Sequence, residues 1–193
     1  MIADHTNDAL EGGFIEAPIQ SARAFREILD AMARPGTIRT VVGAMPPAPL
    51  SVAAGVALLV LTDPTTRLHL AGATDCAAVR EWVAFHIGAP LASCEDADFA
   101  VGTWKALQPV SRFRIGQPDY PDRSATLIVE VDQLVNHGPV LTGPGIKTDT
   151  RLNLPETTAF RVNRALFPLG IDALFTAGSQ IAGLPRSTRV EAI

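Results

Sequence analysis

Apolar residues return at helical spacing soon after the start of the chain. The stripe repeats at intervals of three and four residues, through Phe25, Ile28, Leu29 and Met32. This spacing predicts a helix whose stripe faces the core. Ser21 supplies an N-cap hydroxyl, and the run Arg34-Pro35-Gly36 ends the helix, because proline disfavours helical backbone at the preceding residue.

Two more segments show a helical pattern. Ser51 can cap a helix that ends at Leu61 and is apolar almost all round, so we expect this helix to be buried. Thr74 can cap a third helix, which Gly88 ends. The face of the third helix that we expect in the core consists of Val79, Trp82, Val83 and Ile87.

Short runs of alternating or wholly apolar residues between the helices are typical of strands. The expected strands are 38–42, 67–71, 99–101, 126–131 and a stretch from 138 that enters a glycine loop at 143–146. Near the end of the chain, 172–176 and 180–184 are expected to pair as a hairpin about Gly178-Ser179. The segment 116–123 contains two prolines and is expected to be a loop.

Pro155 suits the first position of a fourth helix, which runs towards Leu166. Helices and strands therefore alternate over much of the chain, while the end turns to a hairpin. This order predicts an α/β fold with a mixed central sheet flanked by helices. We expect one domain over 14–193, preceded by a loose polar tail at 1–13.

Composition narrows the class of protein. Hydrophobic residues make up 47% and charged residues 19% of the 193 residues, which excludes a disordered chain. The net charge of −4 weighs against general binding of nucleic acid, which requires a surplus of basic residues. The longest apolar run, 50–61, is too short to cross a bilayer, and positions 1–8 lack the pattern of a signal peptide. With two cysteines and no CxxC spacing, we expect a reduced, cytoplasmic protein.

The search for catalytic groups predicts none. The chain contains no Gly-x-Ser-x-Gly elbow, and its four histidines share no metal-binding spacing. Lys105 and Lys147 are the only lysines that could hold pyridoxal phosphate, and nothing around them requires that role. We therefore expect no catalytic residue, no metal and no cofactor.

A glycine turn offers the best candidate for anion binding. Backbone N–H groups of Gly143, Gly145 and Ile146 could form a small nest for an anion, or the segment could be only a tight turn that leaves a strand. Pro144 removes one N–H, and the spacing to Lys147 departs by one residue from that of a P-loop.

Three arginines stand at corners marked by proline or glycine. Arg34, Arg164 and Arg186 could each reach a carbonyl, a carboxylate or a phosphate, and Asp172 could orient one guanidinium. The sequence allows two roles for these arginines. Each could bind groups of the protein at its own corner, or they could form an anion site together with the glycine turn.

Four runs, in this order, resemble the PhnH family, whose members form the H subunit of the bacterial carbon–phosphorus lyase system. The runs are Phe25–Gly36 with its Ala-Met-Ala-Arg-Pro-Gly end, 143–146, 167–172 and 184–188. Together they extend the resemblance over about 14–190. Ser187 departs from the family pattern, where a threonine is expected, but it keeps the hydroxyl.

The resemblance implies a fold similar to the large domain of pyridoxal-phosphate-dependent transferases, without the cofactor or its lysine. It also implies a homodimer that joins the G, I and J subunits in a core complex. That complex makes α-D-ribose 1-methylphosphonate 5-triphosphate from ATP and methylphosphonate and releases adenine. On this interpretation the chain is a required but non-catalytic subunit.

A second interpretation belongs to a different class. The chain could be a stand-alone small-molecule enzyme, or a phosphate- or nucleotide-binding protein on a transferase-like fold, with the glycine turn and Arg186 holding the ligand. Saturable binding of a nucleotide or phosphonate by the isolated chain would distinguish it from the first.

Overall fold

The computed structural model describes residues 11–191, so positions 1–10 of the predicted tail lie outside the described residues. Within the described part of that tail, the carbonyl oxygen of Gly12 accepts from the N–H of Met45 (2.9 Å), and that of Glu11 lies 2.9 Å from Nε2 of His86. The helices are α1 (Ala17–Ala33), α2 (Val52–Leu61), α3 (Ala77–His86) and α4 (Thr158–Ala165).

The chain forms one six-stranded sheet and two small ones. In chain order the strands are β1 (Ile38–Thr40), β2 (Leu68–Leu70), β3 (Phe99–Thr103), β4 (Ile115–Gln117), β5 (Tyr120–Ser124), β6 (Thr126–Glu130), β7 (Val140–Thr142), β8 (Thr150–Arg151), β9 (Asp172–Ala177), β10 (Gln180–Leu184) and β11 (Arg189–Val190). The central sheet has the order β1-β10-β9-β6-β3-β2, β7 lies between β11 and β8, and β4 pairs with β5.

The central sheet is mixed, as the sequence predicts. Strands β2, β3, β6 and β9 are parallel, whereas β10 is antiparallel to both β9 and β1. The parallel strands start together at one side, here called the amino edge, and end together at the other, the carboxyl edge. The predicted hairpin is confirmed, with Gln180 opposite Ala177.

Two apolar cores lie on the two faces of this sheet, because neighbouring side chains along a strand point to opposite faces. Ile128 packs towards α1, α2 and α3, and Val129 packs under α4 and the β11-β7-β8 sheet. The two largest fully buried side chains, Trp82 and Phe175, occupy one core each. The α/β architecture is therefore confirmed, and none of the helices within 11–191 is long and apolar enough to span a membrane.

The first helix differs from the prediction in its start and in its buried face. It begins at Ala17, with Glu16 rather than Ser21 at the N-cap and a proline in its first turn. Its buried residues are Ala24, Ile28 and Ala31. A Cβ atom on Gly183 of β10 would lie only 2.7 Å from the carbonyl oxygen of Ala31, so small residues are needed where α1 meets the sheet. The larger residues of the expected stripe, Phe25 and Leu29, lie at the surface instead.

The second helix confirms its predicted cap, since Ser51 Oγ accepts from the N–H of Ala54 (3.1 Å). The expected cap of the third helix is wrong. Thr74 ends a 3₁₀ turn, where its hydroxyl donates to the carbonyl oxygen of Val101 (3.0 Å), and the helix itself has Cys76 at its N-cap. The predicted core face of this helix is confirmed, because Val79, Trp82, Val83 and Ile87 are all buried.

Two other expectations need correction. The segment 116–123 lies largely within the β4–β5 hairpin, which turns at Pro118-Asp119 and places the Arg123 guanidinium 4.1 Å from the ring centre of Tyr120. The turn residues can be recognised in the sequence, but β4 and β5 are too short and too polar to show an alternating apolar pattern. The fourth helix begins at Thr158 rather than Pro155.

Candidate functional site

The runs that carry the candidate anion site meet at the amino edge. The end of α1 lies there beside β10, and the glycine turn packs directly on it: a Cβ atom on Gly145 would overlap the carbonyl oxygen of Ala33. On its other side, a Cβ on Gly143 would lie 3.2 Å from the carbonyl oxygen of Ser187. The turn is therefore wedged between α1 and the segment that precedes β11.

Glycine is required in this turn by its backbone as well as by its neighbours. Gly143 has φ +132° and Gly145 has φ +81°, a region that residues with a side chain rarely adopt. The N–H of Ile146 donates back to the carbonyl oxygen of Gly143 (3.1 Å). One of the three donors of the predicted nest is therefore used inside the turn.

Asp172 and Arg186 form the most enclosed pair of the candidate site. Asp172 begins β9, and its carboxylate accepts from Nε of Arg186 (3.1 Å) and from the backbone N–H of the same residue (2.8 Å). The guanidinium also donates to the carbonyl oxygen of Pro121 (2.7 Å) and to the hydroxyl of Ser124. Arg186 thus ties β5, β9 and the end of β10 together at the amino edge.

The other two arginines differ in how far they are committed. Arg164 at the end of α4 donates through Nε to the carbonyl oxygen of Ser187 (3.1 Å), and its guanidinium lies 4.8 Å from the ring centre of Phe167. Arg34 pairs with Asp30 at 3.0 Å, but its side chain is 66% exposed. Arg34 is therefore the most exposed of the three candidate arginines.

A very small cavity lies beside this corner. It is lined by Phe160, Asn163, Ile171, Ala173, Leu184, Pro185, Arg186 and Thr188. Its volume is about 10 Å³, enough for one water, whereas pockets for small ligands are typically about 300–1,000 Å³. Thr188 Oγ1 is buried and has no partner within the described chain, so a water could satisfy it.

The remaining candidates for chemistry are dispersed. Nδ1 of His69 lies 3.0 Å from the carbonyl oxygen of Ala92, and His137 is exposed. Lys105 and Lys147 are both exposed, so neither lies in the dry pocket that a pyridoxal Schiff base needs. Among residues 11–191 no three potential metal ligands come together, and His5 lies outside them.

A half-buried carboxylate that the sequence analysis missed lies at the carboxyl edge. Glu130 ends β6, where Oε1 accepts from the N–H of Ser51 (2.7 Å) and Oε2 from the hydroxyl of Thr176 (2.9 Å). Burial raises the pKa of Glu130, and these hydrogen bonds only partly oppose the rise. The signal in the sequence that could have identified this site is the charged residue at the end of an apolar strand.

A second carboxylate, Asp98, lies at the amino edge just before β3. Burial opposes its ionisation, but hydrogen bonds from Arg67 (2.9 and 3.1 Å) and the charge of Arg114 outweigh burial. The pKa of Asp98 is therefore below its ordinary value. Asp98 resembles Asp172 in having an arginine at its side, and it is unlike Glu130 in this respect.

Comparison with known proteins identifies the family of the chain. A family model described as "Bacterial phosphonate metabolism protein (PhnH)" matches residues 12–191. The chain is 38% identical over 191 residues to the "Alpha-D-ribose 1-methylphosphonate 5-triphosphate synthase subunit PhnH" of Rhizobium meliloti (strain 1021), which covers 93% of this chain and 94% of the relative. It is 30% identical over 182 residues to the "Putative C-P lyase subunit protein HtxG" of Stutzerimonas stutzeri, with 91% and 87% covered.

The fold and the candidate site at the amino edge together define an α/β protein in which most of that site is used for internal packing. Its arginine and glycine motifs mainly join α1, α4 and the strands at the amino edge. The chain belongs to the PhnH family of bacterial phosphonate metabolism proteins, and the predicted resemblance is confirmed.

Proposed function

We propose that this chain is a required, non-catalytic subunit of the carbon–phosphorus lyase core complex, which makes α-D-ribose 1-methylphosphonate 5-triphosphate from ATP and methylphosphonate. The observation that carries the proposal is the 38% identity, over nearly the whole of both chains, to a protein named as a subunit of that synthase. The geometry supports a subunit role, because Asp172, Arg164 and Arg186 bind groups of the protein itself.

The partners in this proposal are a second copy of the chain and the G, I and J subunits, in the cytoplasm. The proposed fold relationship is to the large domain of pyridoxal-phosphate-dependent transferases, as one domain over 14–193. The exposure of both lysines is in keeping with a scaffold that uses no pyridoxal cofactor.

Reconstitution tests the proposal. The chain would be purified alone and together with the G, I and J subunits, and adenine release from ATP and methylphosphonate would be measured. We expect no adenine from the chain alone, little from the complex that lacks it, and full activity when it is added back. Enzymatic adenine release by the isolated chain would refute the non-catalytic role, and full activity of a complex without the chain would refute the requirement.

Arg34 supports a second candidate, binding of a phosphate or nucleotide, because it is exposed next to Ala33 and the glycine turn. Calorimetry with ATP and with methylphosphonate would test this candidate on the isolated chain. Saturable binding that is lost in Arg34→Ala would support it, and absence of binding heat to the wild-type chain would exclude it.

A further inference from the structure

The outward face of α1 is largely apolar although it lies at the surface. Three large side chains on this face are exposed: Ile19 by 50%, Phe25 by 48% and Leu29 by 55%. Ile15, which is 92% exposed, lies two residues before the helix begins. Ala22, also exposed, lies at the centre. We call these five residues the outer stripe. An array of this kind on a helix that already buries its other face is typical of a surface that another protein covers.

The spacing of the outer stripe is symmetric. Ile19 and Phe25 are each three residues from Ala22, and Ile15 and Leu29 are each seven residues away. If a second α1 packs antiparallel about a two-fold axis at Ala22, Ile19 of one copy faces Phe25 of the other. Leu29 then reaches the start of the other helix, which Ile15 precedes by two residues. The small alanine at the axis lets the two helices approach closely. A two-fold interface requires this self-complementarity, whereas an unrelated partner does not.

The charges beside the stripe suit the same arrangement. Antiparallel packing about Ala22 places Arg26 of one copy across from Pro18 of the other, close to Glu16. Glu16 and Arg26 are exposed, and neither forms an ion pair within the described part of the chain. Opposite charges therefore meet twice at the rim of the interface, which favours this orientation over its reverse.

We propose that the outer stripe is the surface by which two copies of this chain associate, with the two-fold axis at Ala22. The inference rests on the homodimer of the proposed function and assigns a surface to it. It goes beyond that function by naming the residues that face one another.

Substitution at the axis provides the main test. Ala22→Glu places two carboxylates together at the two-fold axis, and Ala165→Glu is the matched control, since Ala165 is an exposed alanine on α4. By sedimentation equilibrium we expect wild type and Ala165→Glu to have twice the mass of the 20.4 kDa chain. Ala22→Glu should weaken association by about 100-fold or more. A monomeric wild type, or undiminished association of a folded Ala22→Glu, would overturn the proposal.

A cross-link provides a test that does not depend on loss of association. In a Cys76→Ser background, Ala22→Cys should form an intermolecular disulfide when oxidised glutathione is added, and Ala165→Cys should not. Equal cross-linking of the two variants would refute the arrangement.

Exchange of the rim charges provides a third test. Glu16→Arg and Arg26→Glu should each weaken the dimer, and the double variant should restore it.

The result is separable from that of the proposed function. Co-purification of the Ala22→Glu chain with the G, I and J subunits is measured independently of its mass. A dimer broken by Ala22→Glu supports the proposed surface even if no subunit co-purifies. A dimer that withstands Ala22→Glu refutes this surface even if the subunits do co-purify.

Discussion

The two edges of the central sheet hold their carboxylates by different means. At the amino edge, Asp172 is paired with Arg186, and Asp98 lies beside Arg67 and Arg114. At the carboxyl edge, Glu130 has only the N–H of Ser51 and the hydroxyl of Thr176, with no cationic side chain within 4 Å in the described chain. One edge is neutralised by arginine, and the other keeps an acid whose ionisation is disfavoured.

This difference bears on where an anion such as a phosphonate could bind. Open α/β sheets take their ligands at the carboxyl ends of the strands. Here that edge carries the half-buried Glu130, which repels an anion whenever it is ionised, and the enclosed arginine of the candidate site lies at the opposite edge. The motifs are therefore better explained as packing devices, and substitutions at both edges test this comparison.

The largest effect is expected where the glycine turn meets α1. Gly145→Ala places a Cβ against the carbonyl oxygen of Ala33 at a φ of +81°. Backbone strain of about 1–2 kcal/mol and overpacking of about 1–3 kcal/mol should together lower the free energy of unfolding by about 4 kcal/mol. Gly178→Ala, at the carboxyl edge, is the control, because it has φ +56° but no atom within 4 Å of the new methyl group. Urea unfolding should show a loss of only about 1 kcal/mol for the control. Equal losses would mean that packing on α1 is not what requires the glycine.

The enclosed ion pair at the amino edge should have the next largest effect. Arg186→Ala leaves Asp172 without its guanidinium, and because their side chains are only 13% and 20% exposed, we expect a loss of about 3 kcal/mol. The double variant Arg186→Ala/Asp172→Ala should lose less than the sum of the two single variants, since it leaves no unpaired charge. Additive losses in urea unfolding would contradict the pairing.

The carboxyl edge should respond to pH. Because burial raises the pKa of Glu130, the folded state binds its proton more tightly than the unfolded state does. The contribution of this group to stability is greatest below its ordinary value near 4.5 and is lost as the pH rises through the raised value. Glu130→Gln should therefore gain stability relative to wild type between acid and neutral pH.

Asp98 gives the opposite sign, which sharpens the comparison of the edges. Its pKa is lowered, so its contribution is present above its ordinary value and is lost as the pH falls through the lowered one. Thermal melts of Glu130→Gln and Asp98→Asn over the same pH range should diverge from wild type in opposite directions. Parallel curves would show that the two edges are not distinguished by their carboxylates. As a check on the hydrogen bonds, Glu130→Ala should cost about 1–2 kcal/mol by leaving the N–H of Ser51 without its partner.

Much of the fold could be predicted because local signals and burial agree. The hairpin at Gly178 and the cap at Ser51 have turn and cap residues that act over a few positions, and both are confirmed. The buried face of α1 could not be found in this way. Its periodicity fits two neighbouring stripes, and the choice between them is made by Gly183, which lies 152 positions after Ala31 in the chain and brings the sheet close to it.

The candidate site was less predictable, because its residues are far apart in the chain. The sequence suggested that Asp172 would orient one arginine, and the structure places it against Arg186. It could not show that Arg186 also reaches Pro121, or that the N–H of Ile146 is used within its own turn. Glu130 was missed because its two partners, Ser51 and Thr176, lie on other elements.

The smallest effect is expected at the exposed arginine of the amino edge. Arg34→Ala removes an i,i+4 ion pair whose arginine side chain is 66% exposed, so stability should change by no more than about 0.5 kcal/mol. Because the variant hardly changes stability, a loss of activity in the reconstituted complex cannot be attributed to unfolding. Unchanged activity would mean that Arg34 is no more than a helix-end ion pair. If Arg34→Ala lowers activity and Arg34→Lys partly restores it, a positive charge is needed at this position. The amino edge, whose other candidate arginines bind groups of the chain itself, would then present one cation to a ligand or a partner subunit.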